Sequence, residues 1–154
     1  IIHSGAITDV DFCEKYRKKA LAVNTLTVMK FLRFFPKTRL IHISSDCVFN
    51  GRFGNYSENS VPDSLEFYGL TKAISESDLE DHAMILRTST VGYEQDTSHG
   101  LVEWFLNSDC HINGYSKAFF NGVTTLELAK VIWEIRKFDE KWDWNPAWLE
   151  EDNK

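Results

Sequence analysis

Four side chains in this chain are of types that can handle a proton together: Ser45 and Asp46, then Tyr68 and Lys72 a short way on. Tyr68 and Lys72 are four residues apart, and in a helix that spacing stacks both on one face. An ammonium near a phenol favours the phenolate, so Lys72 is expected to pull the Tyr68 pKa below its ordinary value of about 10. A tyrosine so tuned can act as a general acid near neutral pH. A serine hydroxyl beside it can donate to an oxygen on which negative charge grows. Asp46 falls in an exposed loop and should stay ionised, so it is expected to orient a substrate hydroxyl rather than pass on a proton.

Particular elements must bring these residues together. Leu40-Ile41-His42-Ile43 is a short apolar, β-branched run, read as a buried strand that delivers Ser45 and Asp46 at its carboxyl end. Open α/β sheets keep their ligands at that end. A helix from Tyr68 through Ser75 and Glu76 to Leu79 carries the other pair. Phe49 to Phe67 is rich in Gly, Asn, Ser and Pro, which marks a long loop, and such loops in compact domains are usually functional. Upstream, Ile1-Ile2 ends a strand, Thr8 or Asp9 caps a helix, and Val10 to about Phe35 reads as one helix. Its apolar stripe is Ala20, Leu21, Val23, Leu26, Val28, Met29 and Leu32. Lys15, Arg17, Lys18 and Lys19 read as its solvated face, and Asn24 in mid-helix needs a reason. His42 alternates away from the site and reads as a satisfied core residue. Downstream, Ala83 to Thr88 is the next buried strand, and His99 to Ser108 is an amphipathic helix with Leu101, Val102, Trp104, Phe105 and Leu106 inward. His111 to Tyr115 reads as a short strand and turn, and Leu126 to about Arg136 as a helix capped by Thr124 or Thr125. Trp142, Trp144 and Trp148 suggest a tail that docks on the body or a partner.

Composition narrows the classes. The chain has 154 residues, enough to bury a core, and a net charge of −6, which argues against a nucleic-acid surface. No apolar run approaches the roughly 20 residues needed to span a bilayer and no signal peptide is visible, so a cytoplasmic protein without a membrane partner is expected. Cys13, Cys47 and Cys110 are odd in number and widely spaced, which suggests neither a disulfide framework nor a metal site.

The stretch from His42 to Gly51, a strand ending in Ser-Ser-Asp-x-Val-Phe with a glycine close behind, followed by Tyr-x-x-x-Lys, resembles the extended short-chain dehydrogenase/reductases. Within them it looks most like the dTDP-4-dehydrorhamnose reductase branch, from Ile1 to about Ile135. The resemblance implies an α/β fold: a Rossmann-like doubly wound parallel sheet with a small substrate-binding part, of which this chain is the second half. Residues 1–108 would be the C-terminal part of an NAD(P)-binding domain, and residues 109–154 a substrate-side segment and tail. No Gly-x-x-Gly-x-x-Gly occurs in the chain, and the earlier strands with that phosphate-binding turn are expected upstream of Ile1.

The activity implied is NAD(P)-dependent reduction of a nucleotide-linked 4-keto sugar, with NADP or NAD as cofactor. Ser45, Tyr68, Lys72 and Asp46 would be the catalytic set. Gly5, Ala6, Asn24, Arg87, Thr88 and Ser89 would join Tyr68 and Lys72 against the cofactor, the small residues allowing close approach. On the substrate side the chain departs from the branch twice: Thr90 stands where a bulky aromatic is usual, and Lys117 to Gly122 replaces an Asp-Gln-x-Gly-x-Pro pattern. The same triad with bound NAD also serves epimerases and dehydratases, and the fold has been reused for non-enzymatic binding or regulatory subunits. Both readings, and a homodimer, remain open.

Overall fold

The computed structural model describes residues 1–77, 79, 83–94, 100–109 and 111–139; the tryptophan-rich tail and Cys110 lie outside them. Residues 1–87 form one compact unit, and the described residues from Thr88 onward form another. That boundary differs from the functional division expected at 108/109.

The first unit is an α/β layer. Strands β1 (Ile2–His3), β2 (Leu40–Ser44) and β3 (Ala83–Arg87) form a parallel sheet in that order. Helical crossovers join them, as parallel pairing requires. The strand expected at Leu40 is β2, with its buried and partly buried residues alternating. Its register with β3 sets Ser44 opposite Arg87.

The expected helix from Val10 to Phe35 is instead three α-segments and a π-turn. Helix α1 (Val10–Lys15) is capped by Asp9, whose carboxylate accepts from Phe12 N at 2.8 Å. It breaks at Tyr16, whose backbone leaves the helical region. Helix α2 (Arg17–Leu21) follows, then a π-turn over Ala22–Leu26, then α3 (Thr27–Phe34). The expected apolar stripe is not kept here: Asn24 and Thr25 are both buried while Leu26 is exposed. The widened π-turn accounts for this, because both polar side chains find partners inside. Lys15, Arg17, Lys18 and Lys19 are exposed as expected.

The tyrosine and lysine ride on α4 (Phe67–Glu76). Two small cores hold the layer: Cys13, Ala20 and Tyr68, with Ile7, Val10, Cys47 and Phe67 around them, and Val28, Leu40 and Leu79, with Leu32, Ala83 and Ile85. The loop between β2 and α4 is ordered by its own contacts. Asn50 donates its backbone N–H and its Nδ2 to the Asp63 carboxylate at 2.8 and 2.6 Å, and Tyr56 stacks on Phe49 at 4.3 Å. Its tight bend uses left-handed backbone at Gly51, Gly54 and Asn55.

In the second unit, β4 (Thr90–Val91) pairs in parallel with β5 (Val123–Thr124), with α5 (Leu101–Leu106) between them in sequence and α6 (Thr125–Asp139) after. Thr124 caps α6 by accepting from Glu127 N at 3.1 Å. Two expectations fail here. Leu101, Trp104, Phe105 and Leu106 are exposed rather than inward, because the two strands and two helices among the described residues of this unit offer too little surface to cover them. His111 to Tyr115 forms no strand; it runs into a turn closed by Ala118 N on Tyr115 O, and the pairing goes to Val123–Thr124 instead. Among the described residues no helix is long and apolar enough to cross a membrane.

Candidate active site

Ser45 leaves β2 in extended backbone and opens a single 3₁₀ turn, Asp46–Val48, whose Cys47 N–H donates to Ser45 Oγ at 3.1 Å. That cap fixes the Ser45 oxygen at the carboxyl end of the sheet. Its hydroxyl donates to Asp46 Oδ1 at 3.2 Å. Ser45 is buried and Asp46 exposed, so the pair spans the site from its floor to its mouth.

Helix α4 approaches this turn so closely that only glycine fits at position 69. A Cβ there would run into the carbonyl oxygen of Cys47 and the side chain of Ser64. Its N-terminus is held from a distance: Glu66 at the cap position makes no side-chain bond, and Glu14 of α1 accepts from Phe67 N at 2.7 Å instead. That bond, with help from Arg17, holds the Glu14 carboxyl below its ordinary pKa.

Tyr68 is buried in the first core cluster. Burial raises its pKa, the hydrogen bond with Ser45 pulls the other way, and the charges of Cys47, Asp46 and Cys13 push it further up. The expected lowering by Lys72 is not found. The physical reason is where the ammonium points: Lys72 Nζ donates to Ile43 O at 2.7 Å, two residues before Ser45. Tyr68 is therefore a phenol, with its proton on, at neutral pH.

Lys72 is 2% exposed, and burial brings its pKa down to about 8, against a smaller upward pull from Glu76. An ammonium has three N–H donors, and among the described residues only the bond to Ile43 O uses one. Two remain for a ligand, a donor set that fits the vicinal diol of a ribose. The space at Gly5 is likewise open, with nothing near the place a Cβ would take.

Asn24 does what its odd place in mid-helix demands. Its Oδ1 accepts from Ile7 N at 2.8 Å and its Nδ2 donates to Ile7 O at 3.1 Å, pinning the loop that carries Gly5 and Ala6. The same amide donates to Thr71 Oγ1 at 3.1 Å, and Thr25 Oγ1 donates to Thr71 O at 2.8 Å. One π-turn thus fixes both the loop after β1 and the helix that bears Tyr68.

A buried relay beneath Lys72 was not evident in the sequence. Ser75 Oγ donates to Lys72 O at 2.6 Å, so its oxygen accepts from His42 Nε2 at 3.0 Å. The Nδ1 of neutral His42 must then accept from His3 Nδ1–H, 3.1 Å away. Burial, then Lys72, lowers both pKa values, that of His42 to about 3 with His3 adding to the effect. His42 is thus the satisfied core residue its alternation implied.

Arg87, at the end of β3, turns its guanidinium to Glu76 and to the loop between β2 and α4. Thr88 and Ser89 follow it in the second unit, where Ser89 O accepts from Val123 N at 3.0 Å.

Comparison with known proteins bears on this arrangement. A family model described as the RmlD substrate binding domain matches residues 1–109. The "Probable low-salt glycan biosynthesis reductase Agl14" of Haloferax volcanii is 37% identical over 116 residues, 68% of this chain and 38% of that protein. Methionine adenosyltransferase 2 subunit beta of Danio rerio is 32% identical over 90 residues, 56% of this chain and 28% of that protein. The crystal structure of a hypothetical dTDP-4-dehydrorhamnose reductase from Sulfolobus tokodaii superposes with a TM-score of 0.59 at 38% identity, covering 62% of this chain and 36% of that one. The chain spans between 28% and 38% of the length of these curated relatives.

Proposed function

This chain belongs to the RmlD substrate-binding domain family, and from that premise we propose that it supplies the proton-donating part of an NAD(P)-dependent reductase acting on a nucleotide-linked 4-keto sugar. The observation that carries the reading is α4 packed through Gly69 on the turn that follows Ser45, which sets a buried, protonated Tyr68 beside that serine and one helical turn from a buried ammonium with donors to spare.

In this reading Ser45 turns its hydroxyl proton from Asp46 to the sugar's carbonyl oxygen and stabilises charge as it builds there. Tyr68 gives its proton to that oxygen, which becomes the new hydroxyl, and the phenolate left behind is reprotonated from solvent. Burial keeps the phenol protonated and ready, while the Ser45 bond tempers the cost of ionising it. Asp46, exposed at the mouth, orients a sugar hydroxyl. Lys72 holds the nicotinamide ribose through its remaining donors, with Gly5 and Ala6 giving room and Asn24 fixing that loop. NADPH or NADH, when bound, would supply the hydride to the carbonyl carbon while the proton goes to its oxygen. Residues 109–154 are assigned to the sugar side.

A second reading rests on the likeness to the subunit beta of methionine adenosyltransferase 2: the chain would belong to a binding subunit rather than a catalyst. The full-length protein, given reduced cofactor and a nucleotide-linked 4-keto sugar, should oxidise one nicotinamide per sugar reduced. Sugar rearrangement without net cofactor oxidation would favour an epimerase, and cofactor binding without any turnover would favour the subunit.

A further inference from the structure

The catalytic scheme leaves one buried charge pair without a task. Glu76 lies four residues beyond Lys72 and eight beyond Tyr68, so the helical repeat sets all three on one face of α4. It is 4% exposed. Arg87 grips it with two donors, Nε and Nη2, at 3.0 and 2.9 Å from Oε2. The other side of the guanidinium faces away from the helix: Nη1 donates to Glu58 O at 3.1 Å and Ser60 O at 3.4 Å, and the group lies over the Phe49 ring at 5.3 Å. Phe49 in turn stacks on Tyr56, whose hydroxyl donates to Asn50 Oδ1 at 3.1 Å. One planar cation therefore joins α4 to the start and the middle of the 49–67 loop, and by register it sits opposite Ser44, the neighbour of Ser45.

We propose that Arg87 is a positioning residue, a clasp anchored on Glu76 that holds the 49–67 loop in one geometry with the helix carrying Tyr68 and Lys72, so that the sugar meets the proton donor in register. The inference rests on the keto-sugar reductase reading. It gives the Arg87 side chain a task other than contact with the cofactor. Lysine cannot do the same work, because one ammonium lacks the flat fork that serves a carboxylate, two carbonyls and a ring at once.

The clasp has an electrical signature. Glu76 Oε1 has no hydrogen-bond partner among the described residues, so its carboxylate depends on Arg87 and otherwise acts on Lys72. His42 from β2 and His3 from β1 also lie within reach of the Lys72 charge, which helps to keep both neutral, while Asp46, Cys13 and Cys47 bear on Tyr68. Removing Arg87 frees the carboxylate to support the Lys72 charge, and removing the Glu76 charge withdraws that support. The alkaline limb of the rate profile should therefore move to higher pH in Arg87→Gln and to lower pH in Glu76→Gln.

The test is steady-state kinetics of the full-length protein with both variants and Arg87→Lys. Arg87→Gln should lower kcat/KM for the sugar by roughly ten- to a hundredfold, the scale of a misplaced substrate, through KM more than kcat and with nicotinamide affinity kept. Arg87→Lys should restore little of it, and the two Gln variants should shift the alkaline limb in opposite directions. Hydrogen exchange of the 49–67 amides gives a reading independent of activity: both Gln variants should lose protection there. Unchanged sugar KM together with unchanged loop protection would overturn the clasp. If the parent protein reduces no keto sugar, the reductase reading fails and the exchange data alone decide the clasp. If Arg87→Gln does not fold, Glu76→Gln decides it in the same way.

Discussion

At the scale of single residues, the site works through burial more than through neighbouring charge. The motif Tyr-x-x-x-Lys suggested an ammonium lowering a phenol's pKa, but Lys72 spends its bond on Ile43 O and Tyr68 is raised by the core around it. The titration that matters near neutral pH thus moves to Lys72, whose pKa is about 8. Activity should fall as pH rises through about 8, following one proton, as the ammonium proposed to hold the ribose is lost. Stability should respond with the opposite sign. Between about pH 8 and the ordinary 10.5 of a lysine, the unfolded chain binds one more proton than the folded one, so this group's share of the unfolding free energy rises with pH. Urea unfolding of the parent and Lys72→Met across that window checks it: the variant should lack this rise, and identical slopes would refute the assignment.

At the scale of elements, the contacts that matter are between α4 and what it lies on. Gly69 lets the helix touch the Cys47 carbonyl and Ser64. Gly69→Ala forces backbone apart, so it should destabilise the fold by about 1–3 kcal/mol, as overpacking does, despite alanine's better helix propensity. A thermal or chemical denaturation curve no weaker than the parent's would show that the helix can shift at no cost. Much of this layer was legible in advance: the run at Leu40, the strand at Ala83 and the Tyr68 helix follow from periodicity and apolar content. The π-turn was not, because hydrophobic spacing assumes one constant pitch, and only the partners of Asn24 and Thr25 on α4 reveal why the pitch changes. Asn24 itself gave the signal, as a polar residue in mid-helix. Glu76 and Arg87 gave none, since nothing in sequence spacing says that a strand end will reach a helix eleven residues upstream.

At the scale of the whole molecule, among the described residues the first unit carries the buried ones and the second exposes most of its large apolar ones. The expectation of an inward face on α5 failed for that reason: amphipathic spacing predicts which side chains share a face, not whether the unit has anything to cover them. The buried histidines also give the fold an acid limit. The pKa of His42 is about 3 and that of His3 is lowered too, so as pH drops below the ordinary 6.5 the unfolded chain takes up protons that the folded one refuses, and stability is lost. Between pH 6.5 and 4.5, above the range where Glu14 contributes, His42→Asn should flatten the decline in unfolding free energy; an unchanged slope would contradict the relay. The proposed reductase chemistry stands on Tyr68 as the proton donor. The most direct measurement is turnover of a nucleotide-linked 4-keto sugar by Tyr68→Phe in the full-length protein. A fall of roughly 10²–10⁴-fold with cofactor binding kept is expected, and full turnover on every keto sugar that the parent accepts would show that Tyr68 is not the acid.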